Sequence, residues 1–221
     1  LLANNVRLVG RSFKYHRPRG ILTAGSEEPN ALMTIGDGAY QDPNSRATTA
    51  RLFDGMSAKS QTKMGLLSFD LMAVNDFLSP LIGAGFYYKT FMWPAAFWEK
   101  IYEPIIRKAA GLGSLSGLAD PDQYDKGYLH CDLLVIGSGP SGLMAALAAA
   151  KSGLQIILAD EDFCLGGRLN AERQEVDGMD SAAFAESRLA QLAAMDNVRI
   201  LSKTTIFGAF DHGCYGALER V

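Results

Sequence analysis

Cysteine is scarce in this sequence, with 3 residues among 221. Cys131, Cys164 and Cys214 lie far apart, and none belongs to a C-x-x-C pair. Disulfide frameworks and structural zinc sites need paired or closely spaced cysteines, so neither is predicted. The three histidines are equally scattered, and no metal-binding residue is predicted. Unpaired thiols are typical of a reducing compartment, and we therefore expect a cytoplasmic protein.

A large net charge is also missing. The 21 lysines and arginines are opposed by 24 aspartates and glutamates, which gives a formal net charge of −3. General nucleic-acid binding requires a basic surface, so no nucleic-acid partner is predicted. The basic loop at residues 11–20 is a local exception. In an acidic chain we interpret it as a solvated or subunit-facing hairpin rather than a phosphate site.

Long uncharged runs are rare as well. Residues 133–150 carry no charge and approach the length of a membrane span. Their first part, however, contains three glycines and Pro140, which interrupt a helix but suit a strand, a turn and then a helix. We therefore predict no membrane-spanning segment.

The pattern along the chain divides it into three parts. Residues 1–50 show short strands and turns, including strands at 6–9 and 31–35. Residues 51–127 form an aromatic-rich connecting segment of short helices that wraps over a larger body, and its apolar stretch is interpreted as core and interface. Residues 128–221 alternate between strands and helices, which predicts a parallel sheet and an α/β fold. Its expected strands cover 132–136, 154–159, 198–201 and 204–207, and its expected helices cover 141–152 and 181–195. The first residue is not methionine, and we interpret the chain as a piece of a longer protein.

A glycine-rich run follows the first strand of the third part. It reads G-S-G-P-S-G over residues 137–142 and leads into a helix, as in dinucleotide-binding βαβ units. Gly137 allows the tight turn, Gly139 lets the backbone approach a pyrophosphate, and Gly142 lets the helix pack closely. The helix N-terminus would then face the phosphates. The alternative is a glycine turn that only packs.

The second strand ends at two acids, Asp160 and Glu161. A carboxylate at this position accepts hydrogen bonds from ribose hydroxyls and disfavours a 2′-phosphate. We therefore expect NAD rather than NADP. The motif leaves the choice between NAD and FAD open, because both use this unit.

Several longer stretches carry a family resemblance. They include residues 10–20, G-R-S-F-K-Y-H-R-P-R-G, together with 25–30, 84–94, 110–113, 160–162, 166–168 and 207–212. Through these stretches the sequence resembles the alpha subunits of heterotetrameric sarcosine oxidases. The resemblance implies a small α+β ferredoxin-like (β-grasp) domain followed by a Rossmann-like domain that holds NAD.

The same resemblance implies a role inside a larger complex. That complex contains beta, gamma and delta subunits, with FAD in the beta subunit and FMN between alpha and beta. It converts sarcosine to glycine, reduces oxygen to hydrogen peroxide and passes a one-carbon unit to tetrahydrofolate. A folate-binding region would lie outside this sequence, no catalytic residue is assigned within it, and we expect the fragment alone to be inactive.

The sequence departs from related iron–sulfur proteins in its first part. Plant-type spacing would place cluster cysteines near Thr23, Glu28 and Ala31, but none of these is cysteine. We therefore expect a ferredoxin-like domain without its cluster. Residues 61–67 also depart from the family pattern.

The candidate nucleotide contacts come from two sources. The fingerprint and the acids follow from the residues themselves, whereas Asp162, Thr205 and Ile206 rest on the resemblance alone. For residues 166–168 the motif leaves contact and a surface loop open, and the resemblance favours contact. The full set is Gly137, Ser138, Gly139, Pro140, Ser141, Gly142, Asp160, Glu161, Asp162, Gly167, Arg168, Thr205 and Ile206.

Two other functions stay open on the sequence. One is an FAD-binding subunit of an opine or amino-acid dehydrogenase. The other is a non-catalytic scaffold in which the bound nucleotide is structural.

Overall fold

The computed structural model describes residues 1–23, 25–86, 89 and 91–220. Contacts between residues divide the chain into two compact units, 1–123 and 124–221. The three-part division expected from the sequence stays a prediction. Each unit is considered by itself below.

The first unit combines short antiparallel strands with short helices. Strands β1 and β2 pair with each other, and β3 is the central strand of a second sheet in the order β4-β3-β5. The described elements are β1 (Gly10–Arg11), β2 (Pro18–Arg19), β3 (Leu32–Ile35), β4 (Asp42–Arg46), β5 (Ala58–Ser60), α1 (Val74–Phe77) and α2 (Glu103–Ala109). The strand expected at 31–35 is confirmed as β3, whereas residues 6–9 form no strand.

The aromatic-rich stretch of the first unit, interpreted from the sequence as core and interface, is not core at several of its largest side chains, and the interface part stays a prediction. Phe69, Phe77 and Trp93 are all exposed, at 71%, 85% and 84% of their surface. Pro94 is followed by one continuous helical segment over residues 95–109, which passes from 3₁₀ through π to α conformation. The large apolar side chains of this segment also keep much of their surface exposed.

The basic loop is a hairpin of β1 and β2 that keeps residues 17–20 exposed while it docks on its own unit through Arg11, and a subunit-facing role stays a prediction. The Arg11 guanidinium donates to the carbonyls of Leu67 and Ser68 at 2.7 to 3.1 Å. The Arg17 guanidinium pairs with the Asp76 carboxylate at 2.7 Å. These partners lie more than fifty residues away in sequence. No local sequence pattern predicts such contacts.

A buried histidine reinforces this docking. The Nδ1 atom of His16 lies 2.6 Å from an Asp70 carboxylate oxygen, and its Nε2 atom lies 2.8 Å from the Ala109 carbonyl. The other Asp70 oxygen accepts the N–H groups of Met64 and Met72. Burial raises the pKa of Asp70, but the hydrogen bonds from His16, Met72 and Met64 outweigh it and hold the pKa below its ordinary value. His16 therefore has a structural role.

The second unit is built on a parallel sheet. Strands β6, β7 and β10 are parallel in the order β10-β7-β6, and α3 connects β6 to β7. The described elements are β6 (Leu133–Ile136), α3 (Pro140–Ala150), β7 (Ile156–Ala159), β8 (Glu175–Val176), β9 (Met179–Asp180), α4 (Ser181–Ala193), β10 (Val198–Leu201), β11 (Thr204–Phe210) and β12 (Cys214–Glu219). The predicted alternation of parallel strands and helices is confirmed over residues 133–201.

The core of the second unit lies on both faces of β7, where every residue is buried. Alternate side chains of a strand point to opposite faces. Ile156 and Leu158 pack with the helices, while Ile157 and Ala159 pack with Leu201 on the other face. Helix residues in the first cluster include Leu143, Leu147, Phe184 and Leu192.

The last strand predicted from the sequence lies outside the parallel sheet. β11 pairs antiparallel with β12 as a hairpin. Two residues join β10 to β11, and a parallel crossover needs a dozen or more. The Thr204 N–H nevertheless donates to the Asp160 carbonyl at 2.7 Å. The hairpin therefore begins beside the end of β7.

Across the described part of the chain, the helices are too short or too polar to cross a membrane.

Candidate dinucleotide site

The turn between β6 and α3 requires glycine at two positions and leaves space at a third. Gly137 has a φ of 97°, in the left-handed region that favours glycine. A Cβ on Gly142 would overlap the carbonyl oxygen of Gly137, so the helix can begin this close only without a side chain there. At Gly139 nothing lies within 4 Å of the Cβ position. The loop therefore leaves an open approach to its backbone at Gly139.

The N-terminus of α3 stands at this opening. Gly139 is its N-cap, Pro140 occupies its first turn, and no described side chain caps it. Proline lacks the N–H group that would have no acceptor within the helix at this position. The remaining N–H groups and the positive end of the helix dipole favour an anion such as a phosphate. Ser141 is exposed in the same turn.

The Asp160 carboxylate is held against the glycine loop. One oxygen accepts both the N–H and the hydroxyl of Ser138 at 2.6 Å each, and the other accepts the Asp162 N–H at 2.9 Å. An ionised carboxylate offers about four acceptor positions. Three are filled by the chain itself, so Asp160 both orders the loop and keeps about one position for a ribose hydroxyl.

The segment 166–168 packs on the same loop. The Gly166 N–H donates to the Ser138 hydroxyl at 2.9 Å, and a Cβ on Gly167 would lie 3.1 Å from the Gly139 Cα. The Arg168 side chain instead pairs with Glu172 at 2.6 Å and is largely exposed. The backbone of this segment therefore lies beside the fingerprint.

The remaining candidates lie around this centre. The Asp162 carboxylate accepts the Cys164 N–H at 3.2 Å and so orders the turn after β7. Ile206 packs on the cluster of Ile157, Ala159 and Leu201, which gives it a packing role. Thr205 is half-buried in β11 and Glu161 is exposed at the end of β7. The structure thus gathers residues 137–142, 160 and 166–167, and their contact with a nucleotide stays a prediction.

Sequence reasoning did not foresee the link between Ser138, Asp160 and Gly166. Ser138 occupies a variable position of the fingerprint, where the motif assigns no task. The G-G pair at 166–167 predicts a turn but not what it touches. The described residues also contain no group of three or more histidine, cysteine or acidic side chains placed to hold a metal ion.

Two family models match this chain, one in each unit. Residues 1–63 match the model of a 2Fe-2S iron-sulfur cluster binding domain, and residues 132–202 match that of an FAD dependent oxidoreductase. The second match contains the glycine loop, Asp160 and the segment 166–168.

The residues of the first unit do not fit the cluster that its family model implies. A ferredoxin-type cluster needs thiolate ligands, and the sequence has no cysteine before Cys131. The Glu28 carboxylate, 1% exposed, accepts instead the N–H groups of Leu22, Thr23 and Asn30 at 2.6 to 2.7 Å. Burial raises the pKa of Glu28, but these N–H groups outweigh it and keep the pKa below its ordinary value. Glu28 supplies the anion around which this loop folds.

Whole-chain comparisons agree with the resemblance noted in the sequence. The chain is 57% identical over its full length to sarcosine oxidase subunit alpha of Rhizobium meliloti (strain 1021), and 34% identical to that of Corynebacterium sp. (strain U-96). It spans 22% and 18% of the length of these relatives. Among solved structures, L-proline dehydrogenase from P. horikoshii shares the fold over 99% of this chain and 32% of its own, with a TM-score of 0.52 and 20% identity. The chain is therefore similar over its full length to sarcosine oxidase alpha subunits and spans about a fifth of the length of these relatives.

Proposed function

We propose that residues 124–221 bind the ADP moiety of a dinucleotide as part of an oxidoreductase subunit. The observation that carries this proposal is the open N-terminus of α3 at Gly139, with Gly142 packed against Gly137 beneath it. The strand order β10-β7-β6, with the glycine loop after β6, also suits the first half of a Rossmann-type sheet. In the first unit, the match to a 2Fe-2S domain model supports a ferredoxin-like fold.

FAD is the first candidate for the dinucleotide, because the family model over residues 132–202 is that of FAD dependent oxidoreductases. NAD is the second, because Asp160 directly follows β7 at the position that suits an unmodified ribose. The two ligands share the ADP moiety, so the loop, α3 and Asp160 serve either one. When bound, either dinucleotide supplies redox chemistry that amino-acid side chains lack.

The identity of the dinucleotide is testable on the full-length protein as purified. The protein is denatured, and the small molecules that it releases are identified by mass. We expect one equivalent of FAD or NAD for each site of this type, and the molecule released decides between them. An absence of both, together with no calorimetric binding of added ADP, would contradict the proposal.

The full-length subunit, together with beta, gamma and delta subunits, is proposed to oxidise sarcosine to glycine. In this proposal FAD and FMN carry electrons to oxygen, hydrogen peroxide is formed and the one-carbon unit passes to tetrahydrofolate. The names of the relatives support the sarcosine oxidase assignment. The described residues contain one dinucleotide fingerprint, so the other cofactor sites would lie elsewhere in the complex.

This assignment predicts that the complex and the chain of 221 residues differ in the formation of hydrogen peroxide. The complex should produce hydrogen peroxide when sarcosine is added, and the chain alone should not, because it lacks the cofactor sites that the proposal places elsewhere in the complex. A coupled peroxide assay measures both, with the complex lacking sarcosine as the control. Peroxide formed by the chain without added subunits or flavin would place the active site within these residues.

A further inference from the structure

The Ser138 side chain joins two loops of the candidate site. It is 0% exposed and lies in the glycine loop after β6. Its hydroxyl is 2.6 Å from Asp160 at the end of β7, and 2.9 Å from the N–H of Gly166 in the following segment. A hydroxyl has one hydrogen to donate. Because Gly166 must donate its own N–H, the hydroxyl hydrogen of Ser138 is directed to the Asp160 carboxylate.

This arrangement fixes the orientation of Asp160. Its carboxylate also accepts the N–H groups of Ser138 and Asp162 at 2.6 and 2.9 Å. Rotation of the side chain would leave these N–H groups and the Ser138 hydroxyl without their acceptor. The carboxylate is therefore already ordered before a ligand arrives, and binding then orders fewer groups.

The same hydroxyl controls the position of the segment at Gly166. Gly167 approaches the Cα of Gly139, where the backbone is open to a phosphate. Moving Gly166 away from Ser138 would therefore change the space at the glycine loop as well as the setting of Asp160. Both effects begin at one side chain.

We propose that Ser138 is a positioning residue, whose hydroxyl aims the Asp160 carboxylate at the ribose of a bound ADP moiety. The inference rests on the proposed dinucleotide function and adds a residue that determines ribose recognition. Ser138 acts through Asp160 and need not touch the ribose itself.

The experiment compares two probes, ADP and 2′,3′-dideoxyADP, by calorimetry on the full-length protein freed of its nucleotide. A hydrogen bond to a charged group strengthens binding by roughly tenfold. We expect wild-type protein to prefer ADP by about this factor, and S138A to lower that preference to nearly one. The matched control is S152A, at an exposed serine just after α3, which should leave both affinities unchanged.

Two further variants make the test specific. S138C keeps nearly the same volume but offers only a weak donor, so it should lower the preference even if S138A folds poorly. The double variant S138A/D160A should show the same preference between ADP and 2′,3′-dideoxyADP as D160A alone, because Ser138 acts on the ribose through Asp160.

The possible failures are distinguishable. If S138A weakens both probes equally and keeps the wild-type preference, the hydroxyl only supports the loop and this inference is overturned. A preference that S138A changes further in the D160A background would overturn it as well. If wild-type protein binds neither probe, the proposed dinucleotide function fails and the inference fails with it.

Discussion

Two buried carboxylates hold the loops of the first unit by accepting N–H groups. Glu28 accepts three from its own loop, and Asp70 accepts two in addition to the His16 ring. A buried N–H without an acceptor costs about 1–3 kcal/mol. Each carboxylate therefore stabilises a loop whose large apolar side chains stay largely exposed.

The Glu28→Gln variant should lose about 2–3 kcal/mol of unfolding free energy, because the amide NH2 group would face an N–H that now meets an acceptor. Urea unfolding of the full-length protein measures this loss. Glu99→Gln, at an exposed glutamate of the same unit, is the matched control and should change the free energy by no more than about 0.5 kcal/mol. Equal stability of the two variants would contradict the role of Glu28.

The Glu28 carboxylate should also make stability depend on pH. Its pKa is lower in the folded protein than in the unfolded chain, where it is about 4.3. Its stabilisation is then fully present above the unfolded value and is lost as the pH falls through the folded value. Urea midpoints between neutral and acidic pH should fall less in Glu28→Gln than in wild type. Parallel curves would show that Glu28 does not titrate in this way.

The pair of His16 and Asp70 should tolerate Asp70→Asn far better than Asp70→Ala. In Asp70→Asn the remaining oxygen still accepts N–H groups, and the new amide can donate to Nδ1 of a neutral His16 ring. We expect this variant to lose about 1–2 kcal/mol, and Asp70→Ala to lose about 3–5 kcal/mol because it leaves a buried partner unpaired. Thermal unfolding compares the two. Similar losses in both would show that the hydrogen-bond geometry contributes little.

At the scale of elements, the sequence predicts β6, α3, β7, α4 and β10 within a few residues. A local sequence pattern indicates each of these elements: an apolar run, an alanine-rich helical stretch or a glycine turn. β12 and the hairpin that it forms were not predicted. The pairing of two strands depends on which backbone edges the rest of the folded chain leaves unpaired. The links of Ser138 to Asp160 and of His16 to Asp70 join residues 22 and 54 positions apart, which no local pattern encodes.

Gly139, at the N-cap of α3, and Gly142, in its first turn, should respond differently to alanine. Gly142→Ala places a methyl group on the Gly137 carbonyl and should reduce both stability and ADP affinity. Gly139→Ala meets open space and should leave stability within about 0.5 kcal/mol, while it blocks the approach of a phosphate and lowers ADP affinity about tenfold or more. Thermal unfolding and calorimetry separate the two effects. Gly127→Ala, at an exposed position without close neighbours, serves as the control.

At the scale of the whole molecule, the chain consists of two units joined through an exposed segment. The division falls between residues 123 and 124. Residues 117–130 are all exposed, and none of them lies in a helix or strand. Exposed backbone without regular hydrogen bonding is where proteases cut first.

Lys126 gives this segment a defined cleavage site. Trypsin needs several residues of accessible, extended chain around a lysine or arginine, and 117–130 provides them on both sides of Lys126. At low trypsin concentration, the first fragments of the full-length protein should be separated between Lys126 and Gly127, as identified by mass. Lys126→Ala should remove this pair of fragments, whereas Lys108→Ala, which removes an exposed lysine from α2, should leave them unchanged. Early cleavage inside residues 133–201 with the Lys126 bond intact would mean that the parallel sheet opens more readily than the segment before it.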